Sequence, residues 1–188
     1  MTIEVLFIQG ASTGAHAADQ CLVDALERAL GKSFRVRFPR LPDEQDPDTA
    51  TWKGAVGAAL DQSRTSVLVA HSAGAAIVAD MLARRHEGDG GAVACLRGVV
   101  LLAPPFVGEG GWALPGFQLD PSTASPCSAV PALHLFFGSA DQTVPPEHAA
   151  LYARTFPHAT IHHLAGGDHQ FGGFMMRVAK TVRTLACA

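Results

Sequence analysis

Apolar and polar positions along this chain fall into two rhythms that take turns. Ile3-Glu4-Val5-Leu6-Phe7-Ile8, Val67-Leu68-Val69-Ala70, Gly98-Val99-Val100-Leu101-Leu102-Ala103 and Ala132-Leu133-His134-Leu135-Phe136-Phe137 are nearly continuous apolar runs. Short runs without a polar face are what strands buried on both sides of a parallel sheet require. Phe34-Arg35-Val36-Arg37-Phe38 instead alternates strictly, which suits a half-exposed strand at a sheet edge. Thr160-Ile161-His162-His163-Leu164 supplies a sixth strand. Between these runs the spacing is helical. From His16 to Leu30 the residues Ala18, Leu22, Ala25, Leu26 and Ala29 recur at three- and four-residue steps, and Gly31 ends the pattern. Asp48 is placed to cap a helix reaching about Leu60, with Trp52, Val56 and Ala59 on one face. An Ala-rich helix follows Ala70 and runs to about Arg85, Pro145-Pro146 opens another, and Phe174 to Ala186 forms the last.

Strands alternating with helices predict an α/β fold: a three-layer α/β/α sandwich around a six-stranded, mostly parallel sheet. Residues 1–188 are expected to form one domain, the length being ample for a single core. In such sheets ligands bind beyond the carboxyl ends of the strands, beside the point where strand order reverses. The residues just after the strands therefore carry the functional information. Gly10-Ala11 follow the first strand, Ser72 the third, Gly138-Ser139-Ala140-Asp141-Gln142-Thr143-Val144-Pro145 the fifth, and Gly166-Gly167-Asp168-His169-Gln170-Phe171 the sixth.

Ala70-His71-Ser72-Ala73-Gly74 is close to the G-x-S-x-G turn that raises a serine between a strand and a helix, with Ala70 in place of the first glycine. A serine at a helix start is by itself more often a cap than a nucleophile. Three separate loops, however, deliver a nucleophile, an acid and a base in the order Ser72, Asp141, His169. A serine hydroxyl needs a base within hydrogen-bond reach, a role open to His169, and Asp141 would fix the tautomer of that ring. Asp168, adjacent to His169, is the rival carboxylate, but neighbouring side chains diverge. The oxyanion donors are expected to be the backbone N–H groups of Ala73, at a helix N-terminus, and Ala11.

On these motifs the chain resembles the α/β-hydrolase superfamily in a minimal, capless form, and within it the small serine hydrolases related to the retinoblastoma-binding protein 9 and YdeN group. The resemblance spans the whole chain. It implies a six-stranded sheet in the order 2-1-3-4-5-6 and a triad of Ser72, His169 and Asp141. The activity it implies is cleavage of a carboxylic ester or related acyl bond, such as a thioester, lactone or amide. A binding protein that keeps the hydrolase fold and acts through its surface is the alternative.

The stretch from Pro104 to Pro131 is long, irregular and carries Phe106, Trp112, Leu114 and Phe117. Loops of this length are usually functional, and Phe106 and Trp112 are the expected walls of an acyl pocket, with packing in a satellite core as the competing role. His71 is expected to pack beside the elbow. His162, His163, Asp168 and His169 suggest a metal site at first sight, but adjacent strand residues face opposite ways, so no metal is expected. Gly10 to Gly14 lacks both the P-loop lysine and the dinucleotide-binding spacing, and no cofactor is expected. Arg84-Arg85-His86 reads as a solvated helix end.

Composition narrows the partners. A net charge of −3 gives no sign of a nucleic-acid or anionic-membrane partner, and neither is expected. Its apolar runs are too short to span a bilayer, and Met1-Thr2-Ile3-Glu4 lacks the basic start of a signal peptide. Cys21, Cys95, Cys127 and Cys187 are scattered, as in a reduced cytoplasmic protein. The expected partner is a small acyl substrate; the pattern is silent on oligomeric state.

Overall fold

A computed structural model describes residues 2–62, 64–84, 96–113, 119 and 132–187. The elements run β1 (Ile3–Ile8), α1 (Ala15–Leu30), β2 (Phe34–Arg37), α2 (Thr49–Asp61), β3 (Thr65–His71), α3 (Ser72–Ala83), β4 (Gly98–Leu102), β5 (Ala132–Gly138), α4 (His148–Thr155), β6 (Thr160–Leu164) and α5 (Met175–Cys187). One sheet contains all six strands in the order β2-β1-β3-β4-β5-β6, and every neighbouring pair is parallel. The chain moves outward from β1 to β2, then returns to β3 and builds the other way. The order therefore reverses between β1 and β3, as expected.

The apolar runs explain the layers. In β3, Leu68 and Ala70 face a core shared with α2 and α3, while Val67 and Val69 face a second core shared with α1 and α5. β1 divides likewise, with Leu6 and Ile8 on one side and Val5 and Phe7 on the other. Strands covered on both faces have no solvent side for polar residues, hence their nearly continuous apolar runs. At the edge, β2 buries Val36 and exposes Arg35. The Asp48 side chain accepts from Thr51 N–H at 2.7 Å and caps α2 as predicted. Gly31, at φ 80°, ends α1 with its N–H on the Glu27 carbonyl.

Two expectations shift. Pro145-Pro146 do not form the first turn of α4; their carbonyls accept from His148 and Ala149, so the prolines supply the turn that leads into the helix. Helix α3 ends at Ala83, short of Arg85. Arg85 and His86 of the expected helix end, together with Cys95, Leu114, Phe117 and Cys127, lie outside the described residues. Among the described residues, no helix is long and apolar enough to cross a membrane.

Candidate active site

Ser72 stands between β3 and α3 with φ 50°, a left-handed value that is rare for a residue with a side chain. Such strain costs about 1–3 kcal/mol and persists only where the surroundings impose it. Here the crossing of strand and helix imposes it. A Cβ built on Gly74 would lie 2.1 Å from the Gln9 carbonyl oxygen and 2.8 Å from Ile8 Cγ2. Only glycine lets α3 pass that close to the end of β1. Ala70, at the position of the missing first glycine, is fully buried, so its methyl is accommodated. Gly74→Ala is accordingly expected to lower stability by at least the ~1–3 kcal/mol of ordinary overpacking, because backbone must move. Thermal unfolding measures this, and an unchanged melting temperature would show that strand and helix separate freely.

The base and acid arrive from the loops after β6 and β5. His169 Nε2 lies 3.1 Å from Ser72 Oγ, and His169 Nδ1 lies 2.8 Å from Asp141 Oδ2. The other carboxylate oxygen, Oδ1, accepts from Thr143 N–H and Val144 N–H, each at 2.8 Å. Asp141 is thus held by its own turn while it holds the ring. The two loops are stitched together: Ala140 N–H donates to the Gly167 carbonyl at 2.9 Å, Ser139 N–H to the Leu164 carbonyl at 3.0 Å, and Gly166 N–H to Ser139 Oγ at 2.9 Å. Gly138 is required there, since a Cβ would meet the Gly167 carbonyl oxygen at 2.2 Å. Asp168 is exposed and its carboxylate makes no contact with the His169 ring. Burial, then the neighbouring His71 charge, pushes the His169 pKa below its ordinary value, against the opposing pull of Asp141.

Ala73 lies in the first turn of α3, where an N–H has no partner within the helix. Ala11 follows Gly10, whose missing Cβ would sit 3.0 Å from Ser72 Cβ, so the loop after β1 closes directly on the elbow. Gln9 and Glu44 hold that loop. Buried Gln9 accepts from Leu41 N–H and donates to Glu44, which also accepts from Gly14 N–H, His16 N–H and Arg40. The His16 amide, near the start of α1, contributes most to lowering the Glu44 pKa to about 2.

The two aromatic residues expected at an acyl pocket part company. Phe106 is 1% exposed, packs edge-on against Tyr152 and donates its backbone N–H to His148 Nδ1. Trp112 is only partly buried, with its ring edge-on to His148 at 5.6 Å. Between His162 and His134 there is a contact of 3.0 Å, and His162 stacks on Phe136, while His163 is exposed.

Two residues beside the site were not read from the sequence in these roles. Asp19 is 2% exposed and contacts His71, itself 2% exposed and expected only to pack. A signal for Asp19 exists, since it shares the apolar face of α1 with Ala15, Leu22, Val23 and Leu26. An aspartate at a core-facing position needs a buried partner.

Comparison with known proteins agrees with the fold. The ydeN gene product of B. subtilis superposes with a TM-score of 0.67 at 16% identity, covering 100% of both chains. The esterase RhEst1 from Rhodococcus sp. ECU1013 gives 0.68 at 18% identity, covering 100% of this chain and 91% of its own. A predicted CIB-like hydrolase from Thermoplasma acidophilum gives 0.66 at 14% identity, over 99% and 87% respectively. At these identities the likeness establishes a shared α/β-hydrolase fold. A search of curated protein sequences found no match. A family model described as Serine hydrolase does match residues 18–170, most of the chain, and the chain therefore belongs to the serine hydrolase family.

Proposed function

We propose that this protein is a serine esterase that cleaves a carboxylic ester or a related acyl bond through an acyl-enzyme on Ser72. The observation that carries the reading is the unbroken chain from Asp141 through His169 to Ser72, with contacts of 2.8 and 3.1 Å. In this reading His169 takes the Ser72 proton as Oγ attacks the acyl carbonyl carbon. The carbonyl π electrons move onto oxygen, and the Ala73 and Ala11 N–H groups receive the oxyanion. Collapse expels the alcohol, which takes the proton from His169. Water then attacks the acyl-enzyme by the same sequence, releasing the acid and restoring Ser72. Trp112, partly exposed, is the better placed of the two aromatics to wall the acyl group, since Phe106 is enclosed by the core.

No cofactor enters the scheme, and a small acyl substrate is its natural partner. The test is reaction with a fluorophosphonate, followed by peptide mass analysis. One reagent adduct is expected on the peptide containing Ser72; folded protein without an adduct there would overturn the proposal. The rate should also carry a pH signature. His169 accepts a proton only when neutral, and its pKa is lowered, so protonation disables it at lower pH than for an ordinary histidine. Labelling should therefore hold its rate on descending through about pH 6.5 and fall only below it.

A further inference from the structure

Behind the proposed base lies a second histidine–aspartate contact. The Asp19 carboxylate, on α1, reaches His71 Nδ1 with its two oxygens at 2.9 and 3.0 Å. Its Oδ2 also accepts from Gly10 N–H at 2.8 Å. On the other side of the ring, His71 Nε2 lies 3.0 Å from the backbone carbonyl oxygen of His169. Phe171, fully buried with φ 51°, closes the space with its ring edge-on to His71 at 6.3 Å.

The protonation of this ring follows from its neighbours. A carbonyl oxygen only accepts, so Nε2 must carry a proton. Nδ1 faces the two carboxylate oxygens at 2.9 and 3.0 Å, and an acceptor-only group at that distance calls for a proton on the ring nitrogen. The Gly10 N–H occupies Oδ2 as a donor at 2.8 Å and needs an acceptor there. Both nitrogens are then protonated, and the pair is an imidazolium against a carboxylate. Burying such a pair is costly and is repaid only when its hydrogen bonds are complete, as they are here.

We propose that Asp19 and His71 form a buried ion pair that positions the active site, anchoring the His169 backbone on one side and the Gly10-Ala11 loop on the other. His71 immediately precedes Ser72, so one rigid unit links the nucleophile, the base and the oxyanion loop. Neither residue touches the reacting atoms; both act through their neighbours. The inference rests on the reading of Ser72, His169 and Asp141 as the reacting set. The pair has an electrostatic effect as well. The His71 ring centre lies 4.8 Å from that of His169, and the charged groups facing His169 are His71 from β3, Asp19 from α1 and Asp141 from the β5 loop. His71 weighs more than Asp19 in this set, so the pair as a whole disfavours protonation of His169.

Two measurements test this. In wild-type protein, nitrogen NMR of the histidine rings should find both His71 nitrogens protonated near neutral pH. A singly protonated His71 ring would overturn the ion pair whatever any variant does. The second measurement compares wild type with Asp19→Asn and with the uncharged double variant Asp19→Asn/His71→Gln. The second-order rate of fluorophosphonate labelling is followed across pH, with circular dichroism to establish folding. Labelling should slow by roughly 10²-fold, the cost of a misplacement of about 1 Å. In the double variant its acid limb should move to higher pH, because the cation opposing His169 protonation is gone. Folded variants with the wild-type rate and an unmoved acid limb would overturn the positioning role. Failure of wild-type protein to label at Ser72 would instead sink the esterase reading, and the ring protonation would still decide the ion pair.

Discussion

Ser72→Ala is expected to abolish fluorophosphonate labelling and to lower turnover of an activated ester on the order of 10⁶-fold, the scale seen when a hydrolase nucleophile is removed. The size follows from the geometry. Ser72 Oγ is the atom within 3.1 Å of His169 Nε2, so its loss leaves the base with no proton to take. The amides of Ala73 and Ala11 remain, and binding with oxyanion stabilisation alone supports a residual of about 10³–10⁴ over water. The fold should persist. Alanine fits the volume, and the backbone strain at φ 50° is set by the crossing of β3 and α3, not by the hydroxyl. Ser72 is only partly buried, so water can reach the freed imidazole. Parallel ester assays and melting curves check both halves. A folded Ser72→Ala protein that retained wild-type turnover would remove Ser72 from the chemistry.

The sheet was legible because a strand covered on both faces must be largely apolar, and the central stretches of β1, β3, β4 and β5 are. The three loops were legible because parallel topology sends every strand's carboxyl end to the same side. Ser72, Asp141 and His169 could thus be grouped without knowing a distance. What escaped the pattern is long-range polar pairing. Asp19 and His71 are 52 residues apart, and neither carries a local signature of the other. Glu44 lies in a stretch rich in Pro and acidic residues that has no periodicity to read, yet its carboxylate accepts from the His16 amide across 28 residues. Phe106 stayed open between two roles for a related reason. An aromatic residue after a central strand suits a pocket wall and a core equally, and the partner that decides, Tyr152, lies on α4. Hydrophobic periodicity reports which face is buried; it does not report which polar groups meet there.

Asp141→Asn is expected to keep the fold and lose roughly 10⁴-fold in turnover, whereas Asp168→Asn should stay within a few-fold of wild type. The hydrogen bonds explain why an isosteric change is so damaging. Asp141 Oδ1 accepts from two backbone donors, Thr143 N–H and Val144 N–H. Those donors dictate how an asparagine must sit, with its carbonyl oxygen toward them and its NH₂ toward His169. Rotating the amide would set NH₂ against two N–H groups at a buried side chain, leaving three donors facing one another without an acceptor. In the allowed orientation the NH₂ donates to His169 Nδ1, which must then be unprotonated. The ring proton moves to Nε2 and faces Ser72, so the group meant to accept the serine proton presents one of its own. The substitution also removes the negative charge that stabilises the imidazolium as it forms. Asp168 is exposed, and its side chain makes no hydrogen bond among the described residues. It has no hold on the ring despite being the nearer residue in sequence. The comparison is read from kcat for an activated ester, with melting temperature as the control for folding. Near-normal turnover in Asp141→Asn beside a dead Asp168→Asn would mean that the wrong carboxylate has been assigned to His169, and would leave Ser72 and His169 themselves in place.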